Sequence, residues 1–593
     1  ASRGLGDVYK RQTLRLNYDL SSLLTKGLSV HGSIAYDSYY YSRKKYSKTF
    51  PYYLARRDAE DPDYIYLIPQ SEESIWSVST GWDKNRKVYM EFGIDYNRTF
   101  GLHKTTALIL YNQSKYYSPS LQYYVPNAYQ GLVGRLTYEY ASRYLAEFNM
   151  GYNGTENFAK GKRFGFFPAV SLGWVISEEK FFPKNNIVKY LKVRGSYGEV
   201  GNDQIGGDRF LYLPSSYGAA SDSGVNKYNF GLASNPYTSL MIVENKIGNP
   251  DLTWEKAKKM NVGVDINLFN NCLTASFDIF KEKRNNILAN RSTSPMIIGA
   301  NLPAYNFGEM ENRGWEMDLN FRHHIQDFHY WARFNYSFAR NEIIYMDEVQ
   351  KRYDYQMTTG RRKNQFFGLI FDGYYNSWEE INALDRPKSS WSGNQLQPGD
   401  VKYIDVNQDG VIDDYDMVPI GYTPVPEIIY GFSFGAQYKG FDFSILFQGA
   451  DNVSIKYFGR SMWPFAKGEE SAKSLIKERW TQERYEAGEK ITFPRLSLNP
   501  NGETDHNYRP STLWIRDASY LRLKNLEVGY TFTGGFVKRL NLNSVRLYFN
   551  GSNLFTWTDV VDLDPEAPSR SGNVEINTYP LQKVYNIGLN INF

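Results

Sequence analysis

The chain has 593 residues and a net charge of only +4, so no basic surface of the kind that binds nucleic acid is indicated. Aromatic residues make up 17% of the chain, which suits rings that line a membrane interface but also an aromatic-rich soluble β protein. The single cysteine, Cys272, excludes an internal disulfide framework and a metal site built from several cysteines.

The start of the chain is unlike the rest. Residues 1–12 have neither the apolar run of a signal peptide nor a strand pattern, and we interpret them as a leader that is not native sequence. Residues 13–593 are predicted to form one β-barrel domain. No run of about 18 apolar residues occurs in the sequence, so no transmembrane helix is predicted, which leaves a membrane barrel open.

From residue 14 onward, apolar and polar residues alternate with a period of two, the pattern of a β-strand with one apolar face. In chain order, the alternating segments are 14–20, 28–36, 88–96, 144–152, 262–268, 315–321, 332–338, 430–438, 441–447, 526–532, 545–549 and 585–593. Including weaker candidates, we predict an all-β, antiparallel transmembrane barrel with about 18 strands of about ten residues. Strands of a soluble sandwich also alternate but are usually shorter, so length favours the barrel.

The predicted connections between strands are of two kinds. Some are short turns, such as 269–271 and 439–440. Others are long and polar, namely 200–256, 284–312, 340–427 and 451–518, and the last contains a predicted charged surface helix over 469–489. Short turns on one side and long extracellular loops on the other are typical of bacterial barrels, and long loops usually carry function.

One long loop contains a match to the twelve-residue calcium-binding loop, residues 405–416. The ligands would be Asp405, Asn407, Asp409, Asp413, Asp416 and the carbonyl of Val411. Asp416 stands where a longer glutamate usually supplies two oxygens. We expect a structural Ca²⁺ ion here, because saturating protein ligands leave no reaction site; the alternative is a metal-free loop of Asx turns. No organic cofactor is expected.

Two patterns that imitate enzyme sites have structural explanations. Gly431–Gly435 fits the G-x-S-x-G nucleophile pattern, but the alternation runs straight through it, so Ser433 is predicted to be an ordinary strand residue. His323 and His324 lie near His329 and are predicted to flank a hairpin turn rather than bind a metal. Without a nucleophile and base, we expect no enzyme.

Several segments, taken together and in this order, resemble the SusC/RagA family of TonB-dependent outer-membrane transporters. They are residues 163–179, 191–202, 248–255, 398–405, 520–530, 549–555 and 579–593. The resemblance implies a multi-pass barrel in the outer membrane of a Bacteroidetes-like bacterium. It also implies 22 strands in the whole barrel, of which this chain would hold about 18, with a plug and a TonB-contacting segment that would precede residue 1.

The resemblance further implies active import of oligosaccharides or peptides, energised through TonB, with a SusD-like surface lipoprotein as a lid. Loop aromatics are then candidates for stacking on sugars, or else for packing loops together: Tyr237, Tyr374, Tyr375, Trp378, Trp391 and Trp463. Two other functions stay open at this point. One is a passive outer-membrane porin, and the other is a soluble glycan-binding β protein.

Overall fold

The computed structural model describes residues 2–593 except 58–59, 62, 205–208, 220–226, 233–236, 241, 294–301, 392–395, 458–462, 466–473, 498–504, 562, 567–572 and 575–580. Seventeen strands of the described chain form one sheet. They are β1 Ser2–Asp19, β2 Leu28–Ser47, β3 Ser77–Phe100, β4 His103–Tyr117, β5 Asn127–Tyr140, β6 Tyr144–Thr155, β7 Phe164–Val175, β8 Val188–Asn202, β9 Glu255–Leu268, β10 Leu273–Ala289, β11 Tyr305–Ile325, β12 Phe328–Tyr345, β13 Ile428–Tyr438, β14 Phe441–Asp451, β15 Tyr520–Phe532, β16 Ser544–Thr558 and β17 Val584–Asn592.

The sheet is an up-and-down meander in which every strand pairs antiparallel with the next strand in sequence. The pairings run from β1 to β17 without interruption. All twelve alternating segments fall within or along these strands, so the antiparallel all-β prediction is confirmed. Most strands exceed the predicted ten residues, and β3 reaches 24, because the ladders continue beyond the apolar band.

The prediction that residues 1–12 take no strand pattern was wrong. Residues 2–12 form most of β1, and Lys10, Arg11 and Gln12 face Ser38, Asp37 and Tyr36 across the pairing. Backbone hydrogen bonds to a neighbouring strand impose extended geometry whatever the side-chain pattern. That these residues are a non-native leader stays a prediction.

The connections alternate in length along the meander. At one end the strands are joined by short segments, such as 101–102, 141–143, 326–327 and 439–440. At the other end lie 48–76, 203–254, 346–427, 452–519 and 559–583. The predicted loops at 200–256, 340–427 and 451–518 are confirmed, whereas 48–76 and 559–583 were missed. By the rule for bacterial barrels, the long loops are extracellular.

The predicted loop over 284–312 was wrong in extent, because β10 and β11 continue until only residues 290–304 connect them. Their polar ends pair as strands, and Lys281 and Lys283 form ion pairs with Glu311 and Glu309 at 2.9 and 3.0 Å. Loss of alternating apolar residues therefore marked the edge of the membrane rather than the end of the strands.

The helix predicted over 469–489 was also wrong for its described part. The structure has a 3-10 turn at Ser474–Glu478 and a short α-helix, α2, at Gln482–Glu486, separated by the buried Trp480. The other α-helices are α1 Trp378–Asn382 and α3 Gly535–Arg539. No helix within the described residues is long and apolar enough to span a membrane.

Apolar side chains project from one face of the sheet in regular rows. On β17, Ile587 is 80% exposed and Leu589 57%, and on β1 Leu16 is 67% exposed. Soluble proteins rarely expose contiguous apolar surface of this size, whereas a barrel presents such a face to lipid. The sheet is therefore a transmembrane barrel wall, and the soluble glycan-binding alternative is excluded.

Candidate functional site

The long loops 346–427 and 452–519 fold together into one packed body, here called the cap, at the extracellular end of the barrel. Their shared hydrophobic core, with Val560 from the following loop, comprises Leu369, Tyr374, Val401, Tyr403, Ile412, Val453, Ile455, Tyr457, Trp480, Phe493, Tyr508, Leu513, Trp514, Ala518 and Val560. Leu369, Val401 and Ala518 are completely buried. A buried core shared by both loops gives the cap a defined shape rather than leaving two independent loops.

A buried carboxylate joins the two loops of the cap. Asp400 accepts hydrogen bonds from the guanidinium of Arg495 at 2.6 Å and from the side-chain amide of Asn507 at 2.8 Å. Asn507 in turn accepts one from the backbone N–H of Val401 at 2.8 Å. Since an unpaired buried charge is costly, these partners make the relative position of the loops specific.

His506 lies beside this carboxylate and forms hydrogen bonds through both ring nitrogens. Its Nε2 donates to the carbonyl of Val401 at 2.7 Å, and its Nδ1 lies 2.8 Å from the hydroxyl of Ser389, which donates to it when the imidazole is neutral. Burial lowers the pKa of His506 below its ordinary 6.5, although the Val401 carbonyl and Asp400 act in the opposite direction.

The cap should therefore loosen in mild acid. The pKa of His506 in the folded cap lies below 6.5, its value in the unfolded chain. The stability of the cap is therefore unaffected by this group above pH 6.5 and decreases as the pH falls from 6.5 toward the pKa of the folded state. At about pH 5.5, we expect a protease active at both pH values to cleave the cap up to about tenfold faster than at neutral pH. His506→Gln, which cannot be protonated, should remove the difference; an equal pH response in this variant would contradict the assignment.

Two ion clusters attach the extracellular segments to the barrel wall. Glu427, just before β13, is buried and contacts the guanidinium groups of Arg340, at 2.7 Å, and Arg362. Burial alone would raise the pKa of Glu427, but the two arginines outweigh it and hold this pKa below its usual range. On β15, Arg522 contacts Asp564 at 2.7 Å and Glu566.

The polar face of the sheet, which lines the lumen, carries further ion clusters. Arg194 on β8 contacts Asp278 at 2.6 Å and Asp265 at 3.1 Å. A cavity of about 470 Å³ lies beside it, and a second of about 660 Å³, near the extracellular rim, is lined by residues including Tyr116 and Tyr129. Charged residues at polar positions of the alternation were the sequence signal for these clusters, which the sequence analysis did not assign.

The six predicted sugar-contacting aromatics occupy different environments. Tyr374 and Tyr375 are buried, and burial raises the pKa of both. Trp391 and Trp463 pack partly buried against the cap core. Tyr237 and Trp378 are exposed, by 73% and 54%. Sugar contact by any of the six stays a prediction, and packing accounts for the position of four of them.

The calcium-like loop folds back on itself through its carboxylates. Asp416 is fully buried, and its two oxygens accept from the N–H groups of Val406 at 2.8 Å and Asp413 at 2.9 Å. Burial raises the pKa of Asp416, and nearby Asp405 raises it further. Gly410, with φ of +83°, donates to Asp405 Oδ2 at 2.8 Å, whereas Asp405 Oδ1 is buried without a hydrogen-bond partner.

This donor set fits the chemistry of Ca²⁺, a hard cation that takes oxygen ligands. Asp409 and Asn407 also bond to amides within the loop, as in an Asx-rich turn. Across the described part of the chain, no three His, Cys, Asp or Glu side chains converge as metal ligands. For a Ca²⁺ ion to bind, carboxylates that now accept hydrogen bonds from backbone N–H groups of the loop would have to turn toward the ion.

The two patterns that imitate enzyme sites have the predicted structures. Ser433 lies on β13, which runs unbroken from Ile428 to Tyr438. His324 and His329 face each other across the hairpin of β11 and β12 with their rings 5.5 Å apart.

An up-and-down sheet with an apolar outer face, a polar lumen and long loops at one end defines a bacterial outer-membrane β-barrel. Residues 1–554 match the family model described as TonB dependent receptor-like, beta-barrel, and the chain belongs to that family. Its members are outer-membrane transporters, and the resemblance to SusC and RagA proteins is confirmed.

TonB-dependent receptor P3 of Formosa agariphila is 28% identical over 479 residues, which cover 78% of this chain and 45% of that protein. TonB-dependent receptor SusC of Bacteroides thetaiotaomicron is 28% identical over 477 residues, covering 79% and 44%. The chain thus spans about half the length of the curated relatives it matches.

Solved structures share the fold. The structure of the RagAB peptide transporter superposes with a TM-score of 0.70 at 19% identity, covering 99% of this chain and 62% of that one. The RagAB peptide importer in its 'closed-closed' state gives 0.71 at 20% identity, covering 99% and 63%.

Proposed function

We propose that this chain is the barrel part of an active importer that carries oligosaccharides or peptides across the outer membrane. A SusD-like surface lipoprotein would close over the cap, and TonB would supply energy through segments outside this chain. The protein would move its substrate without altering it chemically. The observation that carries the proposal is the cap, a packed extracellular body attached to the barrel wall beside a polar lumen.

The cap supports a lid partner because docking needs a surface whose shape is set before binding. Its shared core and the buried Asp400 cluster give that stiffness. The polar lumen wall supports a polar, hydrogen-bonding substrate, a property that oligosaccharides and peptides share. The two RagAB structures are those of a peptide transporter and a peptide importer, which keeps peptides beside glycans among the candidates.

The test is growth of the host with oligosaccharides or peptides as the limiting nutrient. Deleting the gene should abolish growth on one class, and the full-length gene should restore it. Removing TonB activity should abolish the same growth. Uptake that persists without TonB would favour the alternative, a passive porin, and unchanged growth on both classes would reject import of either.

We also propose that residues 405–416 bind one structural Ca²⁺ ion. The support is the oxygen-rich donor set and the buried, unbonded Asp405 Oδ1. Tyr415 lies within the loop and can sensitise luminescence of Tb³⁺, a Ca²⁺ substitute. Full-length protein should give Tb³⁺ luminescence that Ca²⁺ displaces, and Asp405→Asn with Asp409→Asn should lower it at least about tenfold.

Asp414→Asn is the matched control for this experiment. Asp414 is exposed, is not among the predicted ligands, and its carbonyl accepts from Gln356 at 2.8 Å whichever side chain it carries. The Tb³⁺ luminescence of the Asp414→Asn variant should match that of the unaltered protein. Luminescence that Ca²⁺ does not displace, or equal loss in both variants, would reject the calcium site.

A further inference from the structure

The outward faces of β2, β3 and β4 change character at a defined height on the barrel. Along β3, the outward residues Ile94, Phe92, Met90 and Val88 are apolar, and the next two, Arg86 and Lys84, are cations. The pairing register shows that the neighbours change at the same level: Val88 faces Tyr36 on one side and Lys115 on the other. The cations therefore begin at the extracellular edge of the apolar band that faces lipid.

Lys84, Arg86 and Lys115 form what we call the cationic patch. All three are exposed, and none makes an ion pair within the described residues. Lys84 Nζ lies 5.4 Å from the ring centre of Trp82, and the Arg86 guanidinium lies 4.6 Å from that of Tyr117. Aromatic rings at this level are typical of the membrane interface, and they hold the cations there.

No acidic residue of the described strands occupies an outward position around the patch. From the level of Val88 to the extracellular ends of the strands, the outward positions are Ser38, Tyr40, Ser42, Lys44 and Tyr46 on β2, Val78, Thr80, Trp82, Lys84 and Arg86 on β3, and Lys115 and Tyr117 on β4. Lys10 on β1 adds a further cation in the row of Ser38 and Arg86. The neighbouring acids, Asp37 and Asp83, occupy positions that face the lumen, and Asp37 pairs with Arg11 at 2.8 Å.

On β10, by contrast, the two cations at this height are paired within the wall. The outward residue that follows Ile279 on β10 is Lys281, which pairs with Glu311 at 2.9 Å, and the next is Lys283, which pairs with Glu309 at 3.0 Å. The patch on β3 and β4 is thus not a general consequence of strands leaving the membrane. Its uncompensated charge calls for an anion supplied from outside the chain.

We propose that the cationic patch binds the phosphate groups of a glycolipid in the outer leaflet of the membrane. Lys84 and Arg86 are two residues apart, about 7 Å, and Lys115 lies diagonally across from Arg86 at about 7 to 8 Å. This spacing lets three cations reach the phosphates of one headgroup, and the guanidinium can bind a phosphate through two parallel hydrogen bonds. The acyl chains then lie along the apolar rows below.

The position of the patch favours a membrane lipid over a soluble phosphate. The cations adjoin the lipid-facing rows, and the lumen and its cap lie on the other side of the wall. Lipid binding at the patch is independent of which nutrient the protein transports.

The test uses the full-length protein purified from its outer membrane, with phosphoglycolipid per barrel counted by native mass spectrometry. Lys84→Gln, Arg86→Gln and Lys115→Gln together should lower the count about tenfold or more. Lys281→Gln with Lys283→Gln is the matched control and should keep it within about twofold. Lys84→Arg with Lys115→Arg preserves the charges and should keep the lipid, which separates lost binding from a damaged barrel.

A second arm identifies the ligand chemistry. Delipidated protein in vesicles should bind a bis-phosphorylated glycolipid and should not bind the same glycolipid after its phosphates are removed. Inorganic phosphate should not compete at millimolar concentration. Equal lipid counts in the triple glutamine variant and the unaltered protein, equal binding of the dephosphorylated glycolipid, or competition by inorganic phosphate would each overturn the proposal.

Discussion

Replacing Arg522 by alanine is expected to release residues 563–566 from the barrel wall and to lower their local stability by about 3 to 5 kcal/mol. Arg522 is 2% exposed, and its guanidinium contacts Asp564 at 2.7 Å, Glu566, and the hydroxyl of Thr556 at 2.9 Å. Without Arg522, the carboxylates of Asp564 and Glu566 would remain at the barrel wall, poorly solvated and without their guanidinium partner. Amide hydrogen exchange of residues 563–566 in the full-length protein measures the effect.

The same cluster sets a dependence on pH. Burial alone would raise the pKa of Asp564, but the hydrogen bond and charge of Arg522 outweigh it, and this pKa lies below its ordinary 3.8. Because the pKa of Asp564 is lower in the folded state than in the unfolded chain, its stabilising effect is complete above the unfolded pKa. The effect is lost as the pH falls through the pKa of the folded state. The attachment should therefore be fully stable at every pH well above 3.8.

Lys524→Gln is the control for Arg522. Lys524 also contacts Glu566, at 3.6 Å, but its side chain is 30% exposed, so its removal should cost no more than about 1 kcal/mol. Faster exchange confined to the arginine variant would support the attachment. Unchanged exchange in that variant would show that other contacts hold the segment.

The wall of the barrel was predictable because its signal is local. In a strand between lipid and a polar lumen, apolar and polar side chains must alternate. Segments such as 262–268 and 585–593 can therefore be recognised as strands from their own sequence, without knowing which strand they pair with. The predicted count of about 18 strands lies close to the seventeen that the described residues form in the main sheet. The errors fell where this signal stops, as at residues 284–312, where both faces become polar although the backbone pairing continues.

The cap was predictable only as two long loops. Its organising contacts join residues far apart in sequence, such as Asp400 with Asn507 and Val401 with His506. No local period marks such pairs, because each residue alone reads as an ordinary polar loop position. For the same reason, the sequence left Tyr374 and Tyr375 as candidates either for sugar contact or for packing between loops, and the structure buries both.

Trp514→Ala is expected to destabilise the cap by about 3 to 5 kcal/mol while leaving the barrel folded. Trp514 is 3% exposed and packs edge-on against Phe493, with ring centres 5.4 Å apart, and beside Tyr508 at 5.3 Å. Its indole N–H donates to the carbonyl of Asn507 at 2.7 Å. The substitution therefore removes a central ring and the bond to the segment that also carries the Asp400 cluster. Limited proteolysis of the full-length protein measures cleavage within residues 346–427 and 452–519.

Two further variants separate the causes of that loss. Trp514→Phe keeps most of the ring but leaves the Asn507 carbonyl without its donor, and should cost about 1 to 3 kcal/mol. Trp378→Ala removes a tryptophan that is 54% exposed, and should change cap stability by no more than about 0.5 kcal/mol. In all three variants, the barrel should keep its resistance to detergent, because the barrel strands pair independently of the cap. If Trp514→Ala lowered that resistance as well, cap and wall would be one cooperative unit, and the cap could not respond to a lid or substrate alone.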